Sequence, residues 1–517
     1  MRTAHTVEAV RNAERELMAR LPEGALMQRA AAGLAAACAG LLRDARGGVY
    51  GSRVVLLVGS GDNGGDALYA GARLARRGAG VCAVLLVPGR THQGGLGALL
   101  GAGGRVADDP FDVLAAADLV LDGITGIGGR GGLRPDAVPV VRAARGGSAM
   151  VVAVDLPSGV EADSGEVGGA VGGEAVRADA TVTFGTYKPG LLIDPARERA
   201  GALRLVDIGL GPYLPSVPAL EALQHADVAR LLPVPTGESD KYRRGVVGVV
   251  AGSARYPGAA VLAVAGALRG GAGAVRYVGP GVDAVLARYP ETLVHEGPPS
   301  AAGRVQSWVV GPGLGDGSWA SAAVADVLAS DVPVLVDADG LRLLDVETLR
   351  GRAARAATAT TLLTPHAGEA AALLGIPRED VEAGRLAAVR ELAARYGATV
   401  LLKGSTTLVA DPDAGIPVRV NPTGTPWLAT AGSGDVLSGL AGSLLATGLP
   451  PRDAGSVGAY LHGLAARLAA AGAARGAAGV APGAGTAPGA APVAHGAPVV
   501  ADDVAEWLPE AWRNVVG

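Results

Sequence analysis

Residues 54–66 read Val-Val-Leu-Leu-Val-Gly-Ser-Gly-Asp-Asn-Gly-Gly-Asp, and this stretch decides the fold of the first half of the chain. Five consecutive apolar residues predict a buried strand. The glycines after them predict a tight turn, and the residues that follow predict a helix over residues 66–77. A buried strand that passes through a turn into a helix is typical of a parallel sheet covered by helices.

The same alternation continues along the chain. Short apolar runs that predict strands lie at residues 81–87, 119–122 and 150–155 and, after a proline-rich stretch at 211–218, at 246–251, 307–310, 334–337, 361–363 and 399–402. We therefore predict an α/β protein of two domains, with a Rossmann-like three-layer domain over residues 1–220 and a second α/β domain over residues 221–517. Residues 471–498 are almost wholly Ala, Gly and Pro, which predicts a flexible insertion without a catalytic role.

Composition excludes several classes of function. The net charge is −4 and no arginine-rich arm is present, so nucleic acid is not an expected partner. Cys38 and Cys82 lack the spacing of a zinc site or disulfide framework. Neither a signal peptide nor a membrane span is predicted, so we expect a soluble, cytoplasmic protein. Lys188, Lys241 and Lys403 are the only lysines, which favours sites that need a compact ammonium, although chance remains an alternative for each.

Polar residues follow three predicted strands of the first domain. The turn at residues 59–66, the glycine-rich loop after Asp122 and the sequence Asp155-Leu-Pro-Ser158-Gly each stand where a strand ends. Because loops at the carboxyl ends of parallel strands meet at one crevice, we expect Asn63, Asp122, Asp155 and Ser158 to lie close together. Such an oxygen-rich group suits a hard cation or proton transfer, although each carboxylate alone could be a turn or helix cap.

The sequence Ala431-Gly-Ser-Gly-Asp435 precedes a predicted helix over residues 436–445 in the second domain. The N–H groups of Gly432, Ser433 and Gly434 at a helix N-terminus would attract an anion. Asp435 beside them could accept a hydroxyl proton while a phosphoryl group moves. A bare helix cap is the alternative. His366 also follows a strand, where it could be an ordinary loop histidine.

The first-domain motifs closely resemble those of the NAD(P)H-hydrate epimerase domain. They are Gly61-Asp-Asn-Gly-Gly-Asp66, Asp122-Gly-Ile-Thr-Gly-Ile-Gly128, Asp155-Leu-Pro-Ser-Gly159 and Thr183-Phe-Gly-Thr-Tyr-Lys188. The resemblance implies interconversion of the R and S forms of hydrated NADH and NADPH, with bound K⁺. It implies that Asn63, Asp122 and Ser158 hold the ion. The residues that it places at the hydrate are Asp62, Asn63, Gly64, Gly65, Asp66, Gly126, Ile127, Gly128, Gly129, Arg130, Gly131, Gly132 and Asp155. Asp62 stands where the family often has Asn.

The second domain resembles the ribokinase-like dehydratase of the S hydrate, and the two resemblances together match the bifunctional NAD(P)H-hydrate repair enzymes of bacteria. The resemblance implies that Ala259, Gly313, His366 and Asp435 contact the hydrate. Lys403, Gly404, Ser405, Thr406, Thr407 and Gly434 are implied at the nucleotide. It further implies ADP with Mg²⁺ as phosphoryl donor, and a homo-oligomer, either dimer or tetramer. Thr425 departs from the family's usual Thr-Gly-Asn.

Two other interpretations remain open from the residues alone. The Gly-Ser-Gly-Asp turn would equally suit a kinase for a small alcohol, which would leave a stable phosphoester instead of free phosphate. The first domain could instead be a binding or interaction module, which would hold a ligand without epimerising it.

Overall fold

The computed structural model describes residues 1–168, 173–475 and 496–517. These residues form two compact units: an N-terminal unit of residues 3–220, and a C-terminal unit of residues 1–2 and those from 221 onward. Both units combine helices with mainly parallel strands, which confirms the α/β class. Of the predicted insertion, residues 476–495 lie outside the described residues. Its predicted start at residue 471 is wrong, because helix Pro451–Arg475 continues through that position.

The N-terminal unit contains a seven-stranded sheet in which all neighbouring strands are parallel. Across the sheet, the strands follow the order Arg105–Val106, Gly80–Leu85, Arg53–Val58, Leu119–Gly123, Met150–Val154, Ala180–Phe184 and Ala202–Val206. The strand order therefore reverses between Arg53–Val58 and Leu119–Gly123, as in the Rossmann-like arrangement that we predicted. The helices are Val7–Met18, Ala25–Arg46, Asp62–Ala75, Gln93–Gly101, Pro110–Ala115, Val138–Gly146 and Arg197–Ala200.

The helix that follows strand Arg53–Val58 begins four residues earlier than predicted. It spans Asp62–Ala75, with Gly61 as its extended N-cap. A carboxylate in the first turn, here Asp62, is favoured by the partial positive charge of a helix N-terminus. The glycines at positions 64 and 65 are therefore helical, and the connecting loop is confined to residues 59–61.

The described residues include one helix, Ala25–Arg46, that is long and apolar enough to cross a membrane. One face of this helix, including Leu34, Ala35 and Cys38, is buried in the hydrophobic core of the N-terminal unit. A core helix of a folded domain satisfies the same length and hydropathy criteria, and the packing of Ala25–Arg46 is of that kind.

The C-terminal unit contains a sheet in which nine strands follow the order Val418–Asn421, Thr407–Ala410, Thr399–Leu402, Thr361–Leu363, Val334–Val336, Ser307–Val310, Val246–Val250, Ala274–Val278 and Leu293–His295. Two short strands, Arg2–Ala4 and Leu220–Ala222, stand at the chain positions where one unit passes into the other. Neighbouring strands from Thr399–Leu402 to Leu293–His295 are parallel. Thr407–Ala410 pairs antiparallel on both of its sides. The parallel order reverses between Val246–Val250 and Ser307–Val310, which marks a second crevice for ligands.

The helices of the C-terminal unit are His225–Leu231, Pro257–Arg269, Val282–Arg288, Ser318–Leu328, Asp339–Arg342, Val346–Arg355, Ala367–Leu374, Arg378–Ala383, Arg385–Tyr396, Ser433–Ala446, Pro451–Arg475 and Ala501–Val516. Helix Ser433–Ala446 begins three residues before its predicted start, after Gly432 in a left-handed conformation with φ 85°. A β-carbon at Gly439 would collide with the carbonyl of Ala263. This close packing fixes the helix, and with it the position of Asp435.

Candidate functional site

A cavity of about 830 Å³ opens in the N-terminal unit beside the first turn of helix Asp62–Ala75. Asp62 and Asp66, both predicted at the hydrate, line it together with Glu14, His92 and Phe184. The cavity lies at the carboxyl ends of the central strands, near the reversal of strand order, where ligands of doubly wound sheets bind. Its polar groups are mostly acidic.

Asp122 and Ser158 form a buried cluster of oxygen atoms, as predicted from the loops that carry them. The Ser158 hydroxyl donates to Asp122 at 2.6 Å, and the Ser158 amide donates to the same carboxylate at 2.8 Å. Burial raises the pKa of the fully buried Asp122 to about 6, while its hydrogen bonds from Ser158 and Ile124 lower the pKa. The Thr125 carbonyl lies 3.2 Å from the Ser158 hydroxyl oxygen.

Asn63 reaches the loop that follows Asp122. A β-carbon at Gly126 would lie 3.2 Å from the Asn63 side-chain oxygen, a tight contact that the glycine avoids. The Asn63 side-chain nitrogen is buried without a hydrogen-bond partner among the described residues. The structure thus brings two predicted ion ligands, Asp122 and Ser158, into direct contact, and places Asn63 against the same loop.

Asp155 follows strand Met150–Val154 with a positive φ of 65°. Few non-glycine residues adopt this conformation, and it is frequent at functional sites. The Asp155 carboxylate accepts hydrogen bonds from the Thr183 hydroxyl at 2.9 Å, from the Phe184 amide at 3.2 Å and from the Lys188 ammonium. Lys188 is buried, so this ion pair orients the carboxylate rigidly.

Asp66 and Asp155 have opposite environments. Burial raises the pKa of Asp66 well above its ordinary value, and the charges of Asp155, Asp62 and Glu14 raise it further. One Asp66 oxygen is buried and lacks a hydrogen-bond partner within the described part of the chain. Asp155, by contrast, has the Lys188 ammonium as counter-ion. A carboxyl group whose pKa is raised by burial and a neighbouring carboxylate paired with an ammonium can act as an acid and a base.

The glycine-rich loop predicted at the hydrate covers residues 126–132. Gly131 and Gly132 have positive φ angles of 76° and 86°, which explains the glycines at these two positions. Arg130 and Gly128 are exposed, whereas Ile127 packs against the hydrophobic core. The Ile127 side chain therefore supports the loop from within the unit.

A second cavity, of about 590 Å³, lies in the C-terminal unit at the reversal of its strand order. Ala259, Gly313 and Asp435, three of the four residues predicted at the hydrate, line this cavity. Gly313 has a φ of 63°, and a β-carbon there would come within 2.6 Å of the Ala259 side chain. Glycine is thus required at position 313, and the small Ala259 keeps the cavity open.

The first turn of helix Ser433–Ala446 borders this cavity. Because the helix begins at Ser433, its first-turn amides belong to Ser433, Gly434 and Asp435, which shifts the predicted anion site by one residue. Burial, followed by the charge of Asp337, raises the pKa of Asp435 to about 7, while the Lys403 charge lowers it. A carboxyl group with this pKa is suited to act as a base near neutral pH.

The segment predicted at the nucleotide is only partly a loop. Gly404 and Ser405 are exposed, whereas Thr407 is buried and begins strand Thr407–Ala410. The Arg385 guanidinium donates to the carbonyls of Lys403 and Thr406, both at 3.1 Å, and so fixes the shape of the turn. A β-carbon at Gly404 would collide with Arg385.

His366 does not line the cavity. Its Nδ1 accepts hydrogen bonds from the amides of Gly368 at 3.0 Å and Glu369 at 3.2 Å, so that His366 caps helix Ala367–Leu374. The His366 side chain is 58% exposed, which leaves its opposite edge accessible. The structure therefore shows His366 as the N-cap of this helix.

The sequence analysis assigned no functional role to several residues that lie at or near the two cavities. Glu14 and His92 belong to segments without a motif, so no local pattern indicates them. Lys188 stands in a quoted motif but received no role, although its rarity as a lysine was a signal. Asp337 directly follows a strand and Glu369 lies in the first turn of helix Ala367–Leu374, both in motif-like segments.

Comparison with known families agrees with both halves of this description. Residues 23–190 match the family described as YjeF-related protein N-terminus, and residues 247–482 match the family described as NAD(P)H-hydrate dehydratase. The two matches fall on the segments that carry the two cavities.

Whole-chain relatives are similar over nearly their full length. The bifunctional NAD(P)H-hydrate repair enzyme Nnr of Mycobacterium leprae is 50% identical over 475 residues, which cover 91% of this chain and 95% of the relative. Its namesake in Mycobacterium tuberculosis is 50% identical over 88% of this chain and 91% of the relative. A crystal structure of the ADP/ATP-dependent NAD(P)H-hydrate dehydratase of Bacillus subtilis, co-crystallized with ATP/Mg²⁺, is 27% identical with a TM-score of 0.45, covering 56% of this chain and 97% of that chain. The chain belongs to the family of bifunctional NAD(P)H-hydrate repair enzymes.

Proposed function

We propose that this protein repairs hydrated nicotinamide cofactors. Its N-terminal unit interconverts the R and S forms of the hydrates of NADH and NADPH. Its C-terminal unit dehydrates the S form with ADP, yielding NAD(P)H, AMP and phosphate. The observation that carries the proposal is Asp435, which lines a cavity at the N-terminal turn of a helix, where burial raises its pKa to about 7.

The dehydration begins with phosphoryl transfer to the hydrate. The hydroxyl group stands on the ring carbon next to the ring nitrogen, and Asp435 accepts its proton. The hydroxyl oxygen forms a bond to the terminal phosphorus of ADP, while the bond from that phosphorus to the bridging oxygen breaks and AMP leaves. The amides of Ser433 and Gly434 face the negative charge that the transferred group carries.

Elimination then restores the cofactor. The lone pair of the ring nitrogen expels the phosphate, which is a far better leaving group than hydroxide. Loss of a proton from the neighbouring ring carbon regenerates the double bond of NAD(P)H. The small residues Ala259 and Gly313 leave room for the hydrated ring beside Asp435.

The epimerase reaction uses the paired carboxyl groups of the N-terminal unit. Asp66, whose pKa burial raises well above its ordinary value, donates a proton to the departing hydroxyl group, and water leaves as the ring nitrogen forms a planar iminium. Asp155, oriented by Lys188, accepts a proton from the water that returns on either face, and this proton passes through solvent back to Asp66 before the next turnover. The raised pKa of Asp66 and the ion pair of Asp155 support this division of roles.

The cluster around Asp122 fits a potassium ion. All of its candidate ligands are oxygen atoms: the carboxylate of Asp122, the hydroxyl of Ser158, the carbonyl of Thr125 and the side-chain oxygen of Asn63. Asp122 is completely buried and has hydrogen bonds but no cationic side chain as partner among the described residues. A bound K⁺ would supply the missing positive charge and attract the phosphates of the hydrate.

Mg²⁺ would arrive with the nucleotide. No group of three or more His, Cys, Asp or Glu side chains in the described ranges forms a ready-made metal site. This fits an ion that is held mainly by phosphate oxygens and water, as Mg²⁺ usually is where phosphoryl groups are transferred. Bound there, Mg²⁺ would neutralise charge on the transferred group.

The proposal is tested by incubating the purified protein with a mixture of R and S hydrates and following the recovery of absorbance in the NADH band. We expect complete recovery with ADP and K⁺, recovery of only part of the mixture when epimerisation is blocked, and equal amounts of free phosphate and NADH. A stable phosphoester product without NADH would instead identify a kinase. Parallel reactions with ATP establish the preferred donor.

A further inference from the structure

Asp337 is a buried carboxylate that the reaction described above does not use. It follows strand Val334–Val336 and is 1% exposed. One of its oxygens accepts a hydrogen bond from the Lys403 ammonium at 2.7 Å, and the other accepts from the Ser438 hydroxyl at 2.6 Å. Asp337 thus connects the nucleotide segment to the helix that carries Asp435.

The backbone around Asp337 is unusual. Ala338, the next residue, has a φ of 49°, which is rare for a residue with a side chain. Gly311 follows the neighbouring strand Ser307–Val310, and a β-carbon at this position would collide with the Asp337 carbonyl. Strain of this kind persists where the surroundings impose it, and it is concentrated at functional sites.

The ion pair of Asp337 and Lys403 lies directly beside the first turn of helix Ser433–Ala446. A β-carbon at Gly434 would lie 3.4 Å from the Lys403 nitrogen and 3.8 Å from an Asp337 oxygen. Glu369 adds a second carboxylate, 3.7 Å from the same nitrogen. The lysine is therefore held between two carboxylates at the helix N-terminus, where the transferred phosphoryl group would lie.

Asp435 is surrounded by charged groups from several elements. Asp337 and Asp339 follow one strand, Glu369 lies on helix Ala367–Leu374 and Lys403 follows another strand. Arg255 lines the same cavity as Asp435. After burial, the negative charge of Asp337 is the strongest influence that raises the pKa of Asp435, and the charge of Lys403 opposes it.

We propose that Asp337 is a positioning residue of the dehydratase: it holds the Lys403 ammonium beside Gly434 in the first turn of the helix that carries Asp435, and it places a negative charge next to that turn. This proposal rests on the function proposed above. A purely structural ion pair would stabilise the fold without influencing the pH dependence of catalysis. The two roles therefore differ in a measurable property.

The decisive experiment compares the pH dependence of kcat for ADP-dependent dehydration in the unchanged protein and in the Asp337→Asn variant. Loss of a negative charge near Asp435 stabilises its ionised form, so the acidic limb of the profile moves to lower pH, by about half a unit or more. The KM for ADP rises because Lys403 loses its anchor. An unshifted limb in a folded, active variant would overturn the proposal.

Two further variants keep the test decisive if Asp337→Asn folds poorly. Glu369→Gln removes a less buried carboxylate that also raises the pKa of Asp435, and it should move the limb in the same direction by a smaller amount. Asp453→Asn is the matched control, because Asp453 pairs with Arg419 in the same unit and is not among the residues that line the cavity of Asp435. A limb that moves equally in Asp453→Asn, or not at all in Glu369→Gln, would contradict the proposal.

Failure of the proposed function would give a different experimental result from failure of the role of Asp337. If the unchanged protein does not convert the S hydrate to NADH with ADP, the function itself is wrong. If it does so while the acidic limb of Asp337→Asn remains in place, only the role of Asp337 is wrong.

Discussion

The buried ammonium of Lys188 donates a hydrogen bond to the Asp155 carboxylate and another, at 3.0 Å, to the Thr183 hydroxyl. A residue on the loop after strand Ala180–Phe184 thus orients the carboxylate that follows strand Met150–Val154. The two strands are neighbours in the sheet, which makes this contact possible.

We predict that Lys188→Met reduces epimerisation at least a hundredfold, because Asp155 loses both its orientation and its counter-ion. The rate of R-to-S conversion can be followed by chromatography of the two hydrates. Dehydration of pure S hydrate should be unaffected, since it takes place in the other unit. Lys241→Met, at an exposed lysine, is the control, and equal epimerase rates in the two variants would refute the role of Lys188.

Asp435→Asn should lower the rate of dehydration by a factor of a hundred or more, because an amide cannot accept the hydroxyl proton. The helix-terminal amides remain in place, so the Kd for ADP, measured by calorimetry, should change less than about threefold. Asp413→Asn, at an exposed position, serves as the matched substitution. Substantial turnover by Asp435→Asn would show that another group is the base.

The dehydratase rate should depend on pH through Asp435. Burial and the neighbouring charge of Asp337 raise its pKa to about 7, so the protonated, inactive form accumulates as the pH falls through 7. Below that point kcat should fall about tenfold for each pH unit, and above it kcat should level off. A profile that is flat between pH 5 and pH 8 would be incompatible with this assignment.

Gly434→Ala should weaken nucleotide use without unfolding the protein. The added methyl group would lie 3.4 Å from the Lys403 nitrogen, in the space beside the first-turn amides. We expect the KM for ADP to rise about tenfold, which corresponds to roughly 1.4 kcal/mol. Gly317→Ala, at another helix start with open space around it, should leave the KM unchanged.

Potassium should stabilise the N-terminal unit through Asp122. Thermal unfolding in potassium chloride should occur at a higher temperature than in tetramethylammonium chloride of the same concentration, because an ion that binds only the folded state favours it. Asp122→Asn should abolish that difference. A salt-independent unfolding temperature in the unchanged protein would argue against the ion site.

Sequence patterns indicated the order of the elements and the segments that carry chemistry. The strands at Ser307–Val310, Thr361–Leu363 and Thr399–Leu402 have the predicted bounds, because short runs of apolar residues end at clear turn signals. The helices that begin at Asp62 and Ser433 were predicted to begin four and three residues later. The glycines in their first turns suggest a loop when the neighbouring packing is unknown.

The sequence by itself determined that two α/β units follow one another, and that glycine-rich turns and carboxylates stand at their strand ends, because apolar periodicity and turn residues act locally along the chain. Only the tertiary structure decided which of these side chains meet. Asp337 and Lys403 are 66 positions apart and Asp155 and Lys188 are 33 apart. Their pairing depends on the order of strands in each sheet and on burial, and both are properties of the packed chain.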